Sequence, residues 1–188
     1  MSKIGKKQIF IPSEVKIELE GEKIKISGPL GQISFKIPVE LKAELKENQL
    51  KIVKLTDLEQ AKMLHGTFRQ LVFNAIKGVK EGWKKELEVK GTGFKANLEG
   101  ESLVLSLGFS HPVKVAPAEG IKFEVEENKI TVIGVDKAKV GLVADQIKRI
   151  YPPDAYKGKG IRYLGEKIIL KPGKSAKAGS TIAGGGTK

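Results

Sequence analysis

Asn48-Gln49-Leu50-Lys51-Ile52 sets the reading of this chain, because its pattern returns 80 residues later as Asn128-Lys129-Ile130-Thr131-Val132. In each copy an asparagine marks a turn. An apolar–polar–apolar alternation follows, which is the mark of a strand with one wet face. The correspondence extends outward on both sides. Pro38 and Pro117 are related by 79 residues, as are Asp57 and Asp136. A proline, a turn and a helix-start residue at nearly one offset point to an internal repeat rather than to chance likeness.

Upstream of Asn48, the apolar residues Val15, Ile17 and Leu19 alternate with polar ones, as do Ile24 and Ile26, then Ile33, Phe35 and Ile37. Gly21-Glu22 and Gly28-Pro29-Leu30-Gly31 separate them as turns. Downstream the period changes. Leu58, Ala61, Leu64, Phe68, Leu71, Val72, Ala75, Ile76 and Val79 recur at three- and four-residue steps, which predicts a helix. Thr56-Asp57-Leu58-Glu59 fits a capping box at its start, and glycines at 78 and 82 fit its end.

The second half repeats this order. Leu87 and Val89 begin a strand, which Gly91-Thr92-Gly93 interrupts. Leu103, Leu105 and Leu107 alternate next, then Val113 and Val115, Phe123 and Val125, and Ile130 and Val132. Asp136 is placed to cap a second helix carrying Val140, Val143, Ala144, Ile147 and Ile150 on one face. The predicted fold class is therefore α+β: two similar tandem domains arisen by duplication, each a mostly antiparallel sheet packed with one main helix. The expected divisions are residues 1–81, residues 82–170 and a tail of residues 171–188. The tail is rich in Gly, Ala, Ser and Lys and is expected to be disordered alone.

The net charge of +12 is concentrated at the ends. Residues 1–7 carry Lys3, Lys6 and Lys7 and no acid, for +3; residues 151–188 carry eight cations against two carboxylates, for +6; the long middle holds only +3. A polyanion partner is the simplest reason, and nucleic acid is the commonest in the cytoplasm. Lysine-rich ends also aid solubility, but solubility does not call for interleaved glycine and tyrosine. There is no cysteine, hence no disulfide framework or thiolate chemistry. The N-terminus lacks the apolar run of a signal peptide, and no stretch approaches the roughly 20 apolar residues that span a bilayer. A soluble cytoplasmic protein with no membrane partner is expected.

That interleaving lies in Tyr151-Pro152-Pro153-Asp154-Ala155-Tyr156-Lys157-Gly158-Lys159-Gly160-Ile161-Arg162-Tyr163. Two prolines end the second helix. Lys157, Lys159 and Arg162 then supply phosphate ligands, with Arg162 also suited to a bidentate contact. Gly158 and Gly160 let the backbone turn tightly or approach a ligand. Tyr156 and Tyr163 fit either stacking on RNA or anchoring the loop to the core. A short strand or ribbon is expected between Ile161 and Leu170, and Lys167, Lys171, Lys174 and Lys177 continue the patch. Lys3, Lys6, Lys7, His65, Arg69, Thr92 and Lys95 are candidate secondary RNA contacts.

Enzyme readings fare poorly. Gly91-Thr92-Gly93-Phe94-Lys95-Ala96 fits the loose dinucleotide pattern, but strand and turn follow it where that pattern requires a helix. Gly173-Lys174-Ser175 resembles the end of a phosphate-binding loop, yet the first glycine of that motif would fall on Ile168. His65 and His111 are the only histidines and lie in different halves, with no acids at metal-ligand spacing. His65 and Arg69, four residues apart, read as a surface pair on the polar side of the first helix. Trp83 and Phe94 read as core or domain-junction residues. No catalytic residue, metal or cofactor is assigned. An enzyme acting on a phosphorylated small molecule and a generic nucleic-acid chaperone are the competing readings.

The stretch from Pro152 to Tyr163 closely resembles the signature of the bacterial-type large-subunit ribosomal protein "L six" family. Ile4-Gly5-Lys6-Lys7 with Ile11-Pro12, Gly28-Pro29-Leu30-Gly31, His65-Gly66-Thr67 with Arg69, and Gly91-Thr92-Gly93-Phe94-Lys95-Ala96 resemble further family blocks, in order along the whole chain. Asp154-Ala155 stands where a Glu-Pro pair is expected. The resemblance implies a structural, non-enzymatic constituent of the large ribosomal subunit that binds large-subunit rRNA. It implies a place near the sarcin–ricin loop and stalk base, among neighbouring ribosomal proteins and close to docking translational GTPases. It also implies a monomer within the ribosome.

Overall fold

In the computed structural model, which describes residues 3–46, 48–56 and 58–171, the expected alternation is realised as antiparallel ladders. Strand β1 is Ile9–Phe10, β2 Lys16–Glu20, β3 Lys23–Gly28, β4 Gly31–Lys36, β5 Leu41–Lys46 and β6 Gln49–Lys54. They form two three-stranded sheets, β2-β3-β4 and β1-β6-β5. Helix α1, Glu59–Glu81, follows. In the second half, β7 is Trp83–Lys90, β8 Lys95–Glu99, β9 Ser102–Ser106, β10 Val113–Val115, β11 Ile121–Glu126 and β12 Lys129–Gly134. Helix α2 is Lys137–Ile150, and a last strand, β13, is Gly160–Tyr163. Here the sheets are β10-β9-β8 and β11-β12-β7-β13.

The duplication is visible in strand register. β5 pairs with β6 from Leu41↔Lys54 to Lys46↔Gln49, and β11 pairs with β12 from Ile121↔Gly134 to Glu126↔Lys129, every partner displaced by 80. The turn at 127–128 places Glu127 at φ +52°, beside the asparagine read as a turn residue. Each half has its own buried cluster. Ile9, Ile24, Ile26, Leu50, Val72, Ile76 and Val79 belong to the first. Leu87, Leu103, Leu105, Ile130, Val143, Ile147 and Ile161 belong to the second. Each such side chain contributes about 1.5–3 kcal/mol of burial.

The helices depart from expectation at one end. Asp136 caps α2 as expected, its carboxylate accepting from the Ala138 N–H at 2.8 Å. The capping box at the start of α1 does not form: the cap position is Leu58 and Glu59 is the first helical residue, not the third. Asp57 lies outside the described residues. The buried stripe is also rotated from the one expected. Ala61, His65, Phe68, Val72, Ala75, Ile76 and Val79 face inward, while Leu58, Leu64 and Leu71 are exposed. A stripe at alternating four- and three-residue steps passes through His65, and the leucines beside it fall outside.

The two halves meet at the end of α1. A Cβ on Gly78 would lie 2.0 Å from the Val135 carbonyl oxygen, so only glycine fits there. The Trp83 indole N–H donates to the Asn74 carbonyl at 3.0 Å, and the Leu30 N–H to that of Val79 at 3.1 Å. The Val79 carbonyl is among the last four of α1, so a hairpin turn of the first half helps complete the helix terminus, while the first strand of the second half bonds a carbonyl further back along the helix. Trp83 is thus a junction residue, as expected. Gly82, at φ +76°, ends the helix by donating to the Gly78 carbonyl.

The expected ribbon from Ile161 to Leu170 is shorter than predicted. Only Gly160–Tyr163 forms a strand; a turn at Leu164-Gly165 and an irregular segment follow. β13 has no counterpart in the first half, where β1 forms the edge of the equivalent sheet.

Candidate nucleic-acid interface

The segment between α2 and β13 is a closed loop. The Asp154 N–H donates to the Lys159 carbonyl at 2.8 Å, and the Gly158 N–H to the Asp154 carbonyl at 2.9 Å. The Asp154 carboxylate accepts from the Lys157 N–H at 2.9 Å. That bond, with further backbone donors at Tyr156 and Ala155, holds the Asp154 carboxyl below its usual pKa. An aspartate therefore closes the turn without the expected Glu-Pro pair.

Both glycines of the loop answer to geometry inside the protein. Gly158 adopts φ +66°. Gly160, at φ +143°, passes so close to the helix end that a Cβ would sit 2.7 Å from the Pro152 oxygen and the Pro153 Cα. Of their two expected uses, tight turning is the one the structure displays. The Ile161 N–H donates to the Tyr151 carbonyl at 2.8 Å, and Ile161 is fully buried. The loop thus hangs between a helix end and a core strand.

What the loop presents is cationic. Lys157 is exposed and Tyr156 is 61 % exposed. The Lys159 ammonium donates to the Thr92 hydroxyl at 3.3 Å, which joins this loop to the one between β7 and β8. Thr92 and Lys95 are exposed there, so two blocks 67 residues apart are brought together. Phe94 backs them, edge-on to Tyr151 with ring centroids 5.1 Å apart. Lys171 is exposed, and its N–H returns to the Ala155 carbonyl at 2.8 Å; Lys167 is exposed between. Lys174 and Lys177 lie outside the described residues.

Arg162 and Tyr163 are engaged differently from Lys157. Arg162 donates through Nε at 2.9 Å and Nη2 at 2.6 Å to one oxygen of Glu88. Tyr163 packs against the second core, with Lys85 and Lys148 over its ring at 4.9 and 4.7 Å. Of the two readings of the tyrosines, Tyr163 takes the anchoring one and Tyr156 remains outward. Lys148 in turn bonds both Glu166 oxygens, at 2.6 and 2.9 Å. That contact, then the Tyr163 N–H, lowers the Glu166 pKa. Glu88 and Glu166 carry no signal of these roles in the sequence, since their partners lie 74 and 18 residues away.

The other candidates lie in the first half. Lys3, Lys6 and Lys7 are exposed on a turn before β1. His65 and Arg69 are corrected: they are 6 % and 5 % exposed, not a surface pair. The His65 Nε2–H donates to the Ile52 carbonyl at 2.8 Å. Arg69 donates to the carbonyls of Lys7 at 3.2 Å and Gln8 at 3.5 Å. Burial lowers the Arg69 pKa from its ordinary value.

Among the described residues no group of three His, Cys, Asp or Glu is arranged to hold a metal, and no helix is long and apolar enough to cross a membrane. Fold and site define a duplicated α+β scaffold protein that presents a lysine-bearing loop at the edge strand of its second half. The chain belongs to the Ribosomal protein L6 family, whose model matches residues 11–82 and 90–164, one segment in each half. It is 49 % identical over 176 residues to "Large ribosomal subunit protein uL6" of Persephonella marina, covering 93 % of this chain and 98 % of that one. Proteins of the same name from Hydrogenobaculum sp. and Staphylococcus saprophyticus are 48 % and 44 % identical, over 95 % and 94 % of this chain and 99 % and 100 % of theirs. The family is one of structural, non-enzymatic ribosomal components.

Proposed function

We propose that this protein is a structural constituent of the large ribosomal subunit that docks large-subunit rRNA through the loop at 154–159 and the lysines around it. Lys157, Lys159, Lys167 and Lys171, with Thr92 and Lys95 beside them, meet backbone phosphates. Binding releases counterions and is therefore salt-dependent. Tyr156 offers a face for a base. The protein recognises folded RNA by shape and stabilises its tertiary arrangement, and does no chemistry. By family resemblance the docking region lies near the sarcin–ricin loop and stalk base, with translational GTPases and other ribosomal proteins close by, in the cytoplasm. We assign the scaffold two domains, residues 1–81 and 82–170, and a basic tail from 171 to 188.

One observation carries this reading: the Asp154 carboxylate and the Gly160–Pro152 contact fix the loop before any ligand arrives. Rigid presentation of cations lowers the ordering cost of binding. The test is hydroxyl-radical footprinting of the whole protein on naked large-subunit rRNA at moderate salt. A compact protected region that is lost in the Lys157→Ala/Lys159→Ala variant is expected. Diffuse protection that fades with salt in both proteins favours the generic nucleic-acid chaperone.

A further inference from the structure

His65 and Arg69 are the only buried polar or charged side chains among the described residues. The fold itself does not require them, because the buried positions of α2 are all apolar: Val140, Val143, Ala144 and Ile147. What they do is hold the N-terminal turn. Arg69 binds the Lys7 and Gln8 carbonyls. Gly5 lies flat on the His65 ring, where a Cβ would fall 2.3 Å from Nδ1. The turn is further closed by the Lys7 N–H on the Ile4 carbonyl at 3.2 Å.

The consequence is a cavity of about 390 Å³ lined by Lys6, Lys51, Lys54 and Lys62 around Ile52 and His65. These lysines come from three elements: the N-terminal turn, β6 and the first turns of α1. The described lining includes no Asp or Glu. Like charges gathered around one cavity repel one another, and an anion relieves that repulsion.

We infer that this cavity is a second phosphate-binding site, which takes the phosphodiester backbone of RNA on the first half of the chain. Lysine ammonium groups serve phosphate as point charges and read no base. The one ring in the described lining, His65, is buried and covered by Gly5, so it offers no open face to a nucleobase. Cations spread over three elements suit successive phosphates of a strand better than one enclosed small anion. The inference rests on the proposed RNA-docking role and adds a contact surface to it. Lys6, Lys51 and Lys62 carry the contact; Lys54 already has an interaction within the protein.

The test uses the full chain, with backbone amide shifts followed by NMR during titration with a short RNA duplex and, separately, with sodium tripolyphosphate. RNA is expected to shift Lys6 and Lys51 to Lys54 as a set distinct from residues 154–163. Lys6→Ala/Lys51→Ala/Lys62→Ala abolishes the first set and spares the second, and Lys157→Ala/Lys159→Ala does the reverse. The log–log salt slope falls by about 0.9 for each phosphate no longer neutralised on duplex-like RNA. Arginine at the same three positions retains the shifts. Movement of the second set alone overturns this inference and leaves the proposed function standing. Movement of neither set removes both. A response to tripolyphosphate without one to RNA overturns the assignment to RNA.

Discussion

Arg162 and Glu88 face each other across the β13–β7 ladder, with Nη2 of the arginine 2.6 Å from Oε2 of the glutamate. Their side chains are only 21 % and 31 % exposed. The arginine that sequence places among the phosphate ligands is thus committed to a carboxylate on a core strand. Its pairing ties the last strand to the sheet, and the phosphate-facing charge falls to the lysines of the preceding loop.

Arg162→Ala is therefore expected to destabilise the protein by about 1 kcal/mol, as for a cross-strand ion pair. In a chain of this size that lowers Tm by about 2–4 °C. Glu88→Gln frees the guanidinium and should steepen the salt dependence of RNA binding. Thermal melts and salt titrations check both; an unchanged Tm for Arg162→Ala would show the pair to be idle.

Lys157→Ala/Lys159→Ala should leave the folding stability within about 0.5 kcal/mol of wild type, since neither side chain is buried. RNA affinity should drop, and the salt slope should flatten by about 0.9 for each phosphate the variant no longer neutralises. An unaltered slope would move the docking surface elsewhere.

Gly160→Ala separates two uses of the glycine. A Cβ meets the backbone of Pro152 and Pro153 at 2.7 Å. Strain at such a position costs about 1–3 kcal/mol. Amide exchange at Ile161 should accelerate as its bond to the Tyr151 carbonyl weakens. A variant that melts like wild type yet fails on RNA would instead show the glycine to be kept for ligand approach.

Acid should loosen the loop at Asp154. Its folded pKa is depressed, chiefly by the Lys157 N–H, so the ionised carboxylate's stabilisation is complete above the unfolded aspartate value. It is lost as pH falls through the lower folded value. Exchange protection of the Lys157 amide, followed by NMR down through that range, should decline; in Asp154→Asn the decline should be absent.

Arg69→Met removes the donor to the Lys7 and Gln8 carbonyls while keeping the helix apolar and filled. The helix should survive, but limited proteolysis should cut the segment before β1 faster. Equal rates would show that the turn holds without the clasp.

Much of this is legible in the chain. Period-two alternation and the 80-residue offset determine the strands, their antiparallel pairing and the duplication, because one-sided burial leaves its period in the sequence. Asp136 is legible as a cap because capping is local. Thr56 and Glu59 have the spacing of a capping box, but spacing does not fix where the helix begins.

Only the tertiary structure decides which polar groups turn inward. In sequence His65 and Arg69 read as surface residues, because hydropathy assigns polar side chains to water. Their acceptors, the carbonyls of Ile52, Lys7 and Gln8, lie 13, 62 and 61 residues away. The same distance hides the commitment of Arg162 to Glu88 and the meeting of Lys159 with Thr92. Hydrophobic period is written in neighbours along the chain and can be read there. The partner of a buried charge is fixed only when strands and helices close on one another.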